Sequence, residues 1–308
     1  MPIYQVIVLA IVQGLAELLP VSSSAHVVVA EKLMGLDPST PQMTLLLVML
    51  HTGTMFAVIA YFWRQWRQSY FATVDAFKRF ALRLVYATAL TGVLGEALIK
   101  LVEHTLFRSQ LGVAPKAEIE DLFGRLELVA PALACAGILI LIAGLTEKKA
   151  DAAEAKAAAA AASLTRRPTD SVTMRQAAWM GLLQGLCLPF RGFSRSGATI
   201  SAGMLTGASK QRAERFSFAL AVIITPAAIA REAMRLVHAT HAAAATGSPV
   251  DLHGTVAISL LGAGFAFLAG LVALRWLSNW LENGRWTWFG IYCLVASAVV
   301  FFLHTKGY

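Results

Sequence analysis

Residues Gln13–His26 read QGLAELLPVSSSAH. They follow an apolar run at 6–12 that suits a lipid bilayer, yet they carry a carboxylate at Glu17, a break at Pro20 and an imidazole at His26. In hydrocarbon, a polar group without a partner costs roughly 2–7 kcal/mol, so such a segment survives only inside protein or beside a water-filled cavity. An ionisable residue at that depth indicates a functional site.

A second stretch, Gln184–Gly197, repeats the first as QGLCLPFRGFSRSG. Both copies begin with Gln-Gly-Leu, pass through a proline and end in an apolar residue followed by Ser-x-Ser, with one residue inserted in the second copy. The second copy carries Arg191 and Arg195 where the first carries Glu17 and His26. An acid, hydroxyls and an imidazole facing guanidinium groups suit the binding of a phosphate.

The composition is that of an integral membrane protein. Of 308 residues, 57% are hydrophobic and 14% charged, with a mean hydropathy of +0.63; soluble domains carry about 25% charged residues. The net charge of +8 fits basic cytoplasmic loops and not nucleic-acid binding, because no basic, aromatic-studded polar surface is apparent. The three cysteines lie in apolar sequence at unrelated spacings, which predicts packing and not a disulfide or metal site. The N-terminus lacks the basic region of a cleavable signal.

The pattern predicts an all-α membrane domain over residues 1–308. Each motif segment, 1–35 and 176–207, is too interrupted for one span and is predicted to be a re-entrant helix–loop–helix. Six further apolar runs are long enough to cross a bilayer, at 43–63, 84–101, 128–145, 215–231, 255–274 and 286–303.

The charges predict an inverted repeat. If the loop after the first span is cytoplasmic, the cytoplasmic segments carry about twice as many Lys and Arg as the opposite side. The two re-entrant segments then enter from opposite faces, so that 1–146 and 176–308 are inverted repeats joined by a cytoplasmic linker at 147–175. The Ala-rich part of this linker predicts a solvated helix.

Arg195, flanked by Ser194, Ser196 and Gly197, is suited to gripping a diphosphate, because guanidinium binds phosphate bidentately and small neighbours admit backbone N–H groups. The alternative is an arginine that snorkels to the interface or pairs with a buried acid. Arg191 is as well explained by a position at the membrane edge.

Ser22, Ser23 and Ser24 are candidates for a nucleophile or for holding phosphate oxygens, although a serine after proline is also a common helix N-cap. His26 lies one helical turn beyond Ser23 and could act as its general base or as a nucleophile itself. The alternative is a core histidine bonded to a carbonyl group.

Glu17 lies four residues after Gln13 on one helix face. It could orient His26, accept a proton or hold a divalent cation, although a metal site would usually have a second carboxylate. Glu96, in the middle of a predicted span, is better explained by pairing with Lys100.

The two motifs together resemble the bacitracin-resistance type of integral-membrane undecaprenyl-diphosphate phosphatases. That family carries Glu/Gln-x-x-x-Glu before a Pro-Val-Ser-Ser-small-Gly-His segment, and later a Pro-Gly-x-Ser-Arg-Ser-Gly segment. Gln13 and Glu17 match the first element, Pro20–His26 the second, and Gly192–Gly197 the third. This sequence departs from the family at four places: Gln13 stands where many members have Glu, Ala16 replaces threonine, Ala25 replaces glycine, and Phe190 and Arg191 split the Pro-Gly pair.

The resemblance implies that the chain removes the terminal phosphate of a C55 polyprenyl diphosphate at the outer face of the bacterial inner membrane. It implies Glu17, Ser23, His26 and Arg195 in catalysis, and divalent-cation stimulation by Mg²⁺ or Ca²⁺. Candidate substrate-binding residues are Gln13, Ser22, Ser24, Ser194, Ser196 and Gly197. The sequence leaves open which of Ser23 and His26 is the nucleophile, and a homodimer is a further open expectation. The rival function is a polyprenyl-phosphate transporter that uses the same repeats without hydrolysis.

Overall fold

The computed structural model describes residues 2–37, 40–109, 125–158, 171–245, 252–282 and 285–307. These residues form ten α-helices and no β-strand, which confirms the all-α prediction for this part of the chain. In chain order, the helices are α1 Ile3–Leu18, α2 Ser23–Leu33, α3 Pro41–Ser69, α4 Val74–Ser109, α5 Leu126–Ala158, α6 Met174–Cys187, α7 Arg195–Leu205, α8 Lys210–Ala245, α9 Leu252–Glu282 and α10 Trp286–Thr305.

Five of these helices are long and apolar enough to cross a membrane, counted over the described residues. They are α3, α4, α5, α9 and α10, and they contain the predicted spans 43–63, 84–101, 128–145, 255–274 and 286–303. The sixth predicted span, 215–231, lies within α8, which is not among the five, so its membrane crossing stays a prediction.

The two motif segments form pairs of short helices, α1 with α2 and α6 with α7. Of these four helices the longest has 16 residues and two have 11, which is less than the roughly 20 residues that a bilayer crossing needs. Each pair is broken at its proline- and serine-containing stretch, as the sequence predicts, while re-entry into the membrane stays a prediction.

The helices of the two halves pack against each other. Helix α1 packs on α9, α6 packs on α4, α5 packs on α10, and α3 packs on both α8 and α9. Helix α7 packs against α5 and α8. The main core contains buried aromatic side chains from three helices, α3, α8 and α10, namely Phe62, Phe216, Phe218, Trp286 and Phe289. As expected, Glu96 pairs with Lys100, at 3.4 Å, on an exposed face of α4.

The contact between α4 and α6 depends on Gly181. A Cβ atom there would lie 2.3 Å from the carbonyl oxygen of Ala87, so the two backbones must separate to admit one. We expect Gly181→Ala to lower the free energy of unfolding by about 1–3 kcal/mol, the usual cost of overpacking. The measurement is thermal unfolding of the purified protein in detergent.

The matched control is Gly92→Ala in α4, the partner helix of α6, where a Cβ atom would have nothing within 4 Å. Because alanine loses less entropy than glycine on entering a helix, we expect this variant to be neutral or stabilised by up to about 1 kcal/mol. Equal melting temperatures for the two variants would contradict the close packing of α4 on α6.

Candidate active site

The first motif copy is shaped by Pro20 and Ser22. The residue before a proline avoids the helical region, and Leu19 is extended with φ −77° and ψ 150°, which ends α1 at Leu18. Ser22 has φ +66°, a conformation that non-glycine residues adopt at a cost of order 1–3 kcal/mol. The chain thereby turns sharply, and α2 begins at Ser23 directly beside the end of α1.

The second copy makes its turn with a glycine. Gly192 has φ +103°, and a Cβ atom there would lie 2.4 Å from the carbonyl oxygen of Val129 in α5, so only glycine fits this position. Ser194 then caps α7, since its hydroxyl accepts a hydrogen bond of 3.2 Å from the amide of Gly197. Arg195 is therefore the first residue of a capped helix.

The two turns are linked by reciprocal hydrogen bonds. The hydroxyl of Ser24 accepts from the amide of Gly192 at 3.3 Å, and the hydroxyl of Ser196 donates to the carbonyl of Leu19 at 3.2 Å. When Ser22 is aligned with Ser194, Ser24 corresponds to Ser196. The peptide bond between residues 19 and 20 then corresponds to the one between residues 191 and 192. Each serine thus binds the same peptide group of the other copy, and the two motifs form one unit.

Glu17, near the end of α1, contacts side chains from both motif copies. Its Oε1 is paired with the guanidinium of Arg195, and its Oε2 accepts a hydrogen bond of 2.5 Å from the hydroxyl of Ser23. Gln13, one turn earlier on the same helix face, donates to Oε2 at 3.1 Å, as the spacing predicts. One carboxylate therefore contacts the candidate nucleophile and the candidate phosphate-binding arginine at once.

His26 faces away from this carboxylate. Its Nδ1 lies 2.7 Å from the carbonyl oxygen of Ser22, and its Nε2 lies 2.6 Å from the hydroxyl of Tyr292 in α10, whose ring stacks on it. Among the described residues, no hydrogen bond joins His26 to Ser23 or Glu17. The structure therefore brings Gln13, Glu17, Ser23 and Arg195 into contact and gives both nitrogens of His26 other partners.

The remaining candidate binding residues support the turns. Ser22 and Ser24 lie side by side, with their hydroxyl oxygens 3.3 Å apart. Ser194, Ser196 and Gly197 are buried in the first turn of α7 and its cap. Arg191 lies close enough to Glu31 of α2, a buried acid, to interact with it electrostatically.

His51 lies beside Glu17, although it belongs to neither sequence motif. His51 is in the first half of α3, and its Nε2 lies 3.9 Å from Oε2 of Glu17. The signal that could have found it is the one that identified Glu17, an ionisable residue inside a predicted span. Tyr292, in the last predicted span, is a second polar residue at the site that the two motifs do not predict.

A small open cavity lies beside this group, between α1, α3, α7 and α8. Its polar part is formed by Glu17, His51 and Arg195. Its other lining residues are threonines and apolar side chains, namely Leu18, Thr54, Met55, Val58, Phe218, Ala221, Val222 and Thr225. A ligand with a charged head group and an apolar chain would match the polar and the apolar part of this cavity wall.

The residues present do not fit a resident divalent cation. Calcium and magnesium take about six to eight oxygen ligands, usually with several carboxylates or waters. Within the described residues, no three His, Cys, Asp or Glu side chains cluster so as to hold a metal ion. The oxygens of Glu17 already accept from Arg195, Ser23 and Gln13. Stimulation by Mg²⁺ or Ca²⁺ stays a prediction of the resemblance.

Comparisons with known proteins identify the family of the chain. The family model described as bacitracin resistance protein BacA matches residues 6–299. A protein of Acinetobacter baylyi named undecaprenyl-diphosphatase 2 is 52% identical over 301 residues, which are 97% of each chain. A protein of Burkholderia thailandensis with the same name is 31% identical over 96% of this chain and 95% of its own. The chain therefore belongs to the BacA family.

Proposed function

We propose that this protein hydrolyses undecaprenyl diphosphate to undecaprenyl phosphate and inorganic phosphate. The observation that carries the proposal is the contact of Glu17 with both Ser23 and Arg195, because it joins a base, a hydroxyl nucleophile and a phosphate-binding cation. The names of the relatives in Acinetobacter and Burkholderia support the choice of substrate. A transporter would have little use for a serine held at 2.5 Å from a carboxylate.

The nucleophile in this proposal is the hydroxyl of Ser23. Its Oγ attacks the terminal phosphorus while Glu17 takes its proton, and the bond from that phosphorus to the bridging oxygen breaks, releasing undecaprenyl phosphate. Arg195 exchanges Glu17 for the phosphate oxygens and stabilises their charge in the transition state. Water then attacks the phosphoserine, phosphate leaves, and the Ser23 oxygen recovers its proton from Glu17.

Two helix N-termini support the binding of the diphosphate. Helix α2 begins at Ser23 and α7 begins at Arg195, and both start at the linked turns. Because the N-terminus of a helix carries a partial positive charge and unpaired N–H groups, it is a favourable position for a phosphate. The apolar part of the cavity, with Val58, Phe218 and Val222, would take the first units of the polyprenyl chain.

His26 has a positioning role in this proposal. A carbonyl oxygen can only accept, so Nδ1 carries a hydrogen and donates to Ser22, while Nε2 of the neutral ring accepts from Tyr292. The imidazole thereby holds the carbonyl group of Ser22 in place. This contact stabilises the positive-φ backbone of Ser22 and fixes the start of α2. This supports Ser23 over His26 as the nucleophile.

The proposed topology is an inverted repeat with both motif segments re-entrant. The two Gln-Gly-Leu glycines support it: a Cβ atom on Gly14 would lie 2.8 Å from Ala266 O and 3.1 Å from Gly270 N of α9, and one on Gly185 would lie 2.9 Å from Thr91 O and 3.3 Å from Gly95 N of α4. In both cases the equivalent glycine meets a carbonyl oxygen and the amide nitrogen four residues later. The same packing recurs in both halves.

The proposed location is the bacterial inner membrane, with the active site open to the outer side. The asymmetry of Lys and Arg between the two sides supports this orientation. Five long apolar helices in the described residues support a multi-pass protein.

The test is phosphate release from undecaprenyl or farnesyl diphosphate by the purified protein in detergent. We expect release by the wild type and a loss of at least about 10³-fold in Ser23→Ala, because a group that attacks phosphorus has no substitute in alanine. The rate is measured at saturating substrate to separate turnover from binding.

The control is Ser209→Ala, at the start of α8 and outside the linked turns, which we expect to keep full activity. Movement of polyprenyl phosphate across liposomes with no phosphate release by the wild type would contradict the proposed function and favour the transporter.

A further inference from the structure

Three of the residues that line the cavity described above are titratable: Glu17, His51 and Arg195. A guanidinium group is not deprotonated in proteins, so arginine is not a candidate base. Glu17 and His51 are therefore the two groups of the described cavity wall that can act as bases. Ser23 Oγ and His51 Nε2 both lie beside Oε2 of Glu17, at 2.5 and 3.9 Å.

The proposed reaction needs two bases. When Ser23 attacks the terminal phosphorus, its proton passes to Glu17. Glu17 then has to return that proton to the Ser23 oxygen when the phosphoserine breaks, so it acts as an acid in the second step. The water that attacks the phosphoserine must lose its proton to a different group.

The hydrogen bonding of His51 prepares it for this task. Its Nδ1 lies 2.8 Å from the carbonyl oxygen of Leu47, one turn earlier in α3. Because that oxygen can only accept, Nδ1 carries the hydrogen, and Nε2 of the neutral ring keeps a free lone pair on the side of Glu17. The side chain is 42% exposed and lines the cavity.

We propose that His51 is a catalytic residue, the general base that activates water for hydrolysis of the Ser23 phosphoester. Its Nε2 takes a proton from water as the water oxygen bonds to phosphorus. The bond from phosphorus to the Ser23 oxygen breaks, and that oxygen takes its proton back from Glu17. Inorganic phosphate leaves, and His51 releases its proton to solvent. This inference rests on the proposed function.

The experiment is a rapid-quench measurement with farnesyl diphosphate labelled in its terminal phosphate. The variant His51→Asn keeps an amide N–H for the Leu47 carbonyl and lacks Nε2. We expect its steady-state phosphate release to fall by on the order of 10²-fold or more, the usual contribution of a general base. We expect the first turnover to persist, as a burst of one farnesyl phosphate per enzyme, with the label retained on Ser23.

A second variant, His51→Ala, leaves space for free imidazole, which we expect to restore release of the label. The control is Thr52→Val, which removes the 2.8 Å hydrogen bond of the neighbouring residue to the Val48 carbonyl and should keep normal turnover. Turnover of His51→Asn within threefold of wild type would overturn the proposal. Loss of the burst in both His51 variants while their melting temperatures match wild type would also overturn it. A wild type that releases no phosphate would instead overturn the proposed function itself.

Discussion

Arg195→Lys is expected to reduce phosphate release by on the order of 10³-fold, the lower end of the effect of removing an arginine that stabilises a phosphoryl-transfer transition state. Lysine keeps the charge but offers a point contact, whereas guanidinium binds two oxygens in one plane. Because the interaction strengthens as charge develops on the transferred phosphoryl group, the loss should fall on kcat more than on KM. The measurement is steady-state release from farnesyl diphosphate over a range of substrate concentrations.

The matched comparison is Arg191→Lys in the neighbouring turn. Arg191 interacts with Glu31 of α2, and Glu17 is influenced by Arg195 and His51 instead. We therefore expect Arg191→Lys to stay within about tenfold of wild type, the scale of a single weak polar contact. Equal losses in the two variants would contradict a specific role for the Arg195 guanidinium, because lysine keeps the charge at both positions.

Glu17→Gln is expected to lower kcat by about 10²–10⁴-fold, the usual contribution of a general base. The amide is nearly the same size as the carboxylate but cannot take the Ser23 proton, and it leaves Arg195 without its counter-charge. The measurement is the first-turnover rate of farnesyl phosphate formation, which reports the step in which Ser23 attacks.

Gln13→Ala is the control for Glu17→Gln. It removes a neutral hydrogen bond of 3.1 Å to the same oxygen and leaves the carboxylate in place. A bond of this kind contributes about 1 kcal/mol, so a loss below about tenfold is expected. If Glu17→Gln kept a tenth or more of the wild-type first-turnover rate, Glu17 would not be the base for Ser23.

The convergence of the two motifs could be predicted from the sequence, because the repeat pairs an acidic copy with a basic one. The break at Pro20 and the pairing of Gln13 with Glu17 are local properties of the chain, and the structure has both. A hydrogen bond between Ser23 and His26 is a different case. Their spacing puts them on one helix face, but packing decides which partners they take.

The residues that sequence reasoning missed are joined by long-range contacts. The hydroxyl of Tyr292 that binds His26 lies 266 positions along the chain, and His51 reaches Glu17 from a separate helix. Neither contact leaves a local pattern, because it depends on how α3 and α10 pack around the first two helices. The crossing of the membrane by α8 also stays a prediction, although the apolar run at 215–231 is clear in the sequence.

The reciprocal serine hydrogen bonds between the two turns can form only after both halves of the chain have been synthesised. Glu17 and Arg195 are separated by 178 positions, so the ribosome finishes the first half long before its counterpart exists. Until α7 has been made and packs against the first half, Glu17 lacks its guanidinium partner, and Leu19 and Ser24 lack the groups that bind them. Assembly of the proposed catalytic centre is therefore a late step of biogenesis, and a chain truncated after α5 would have none.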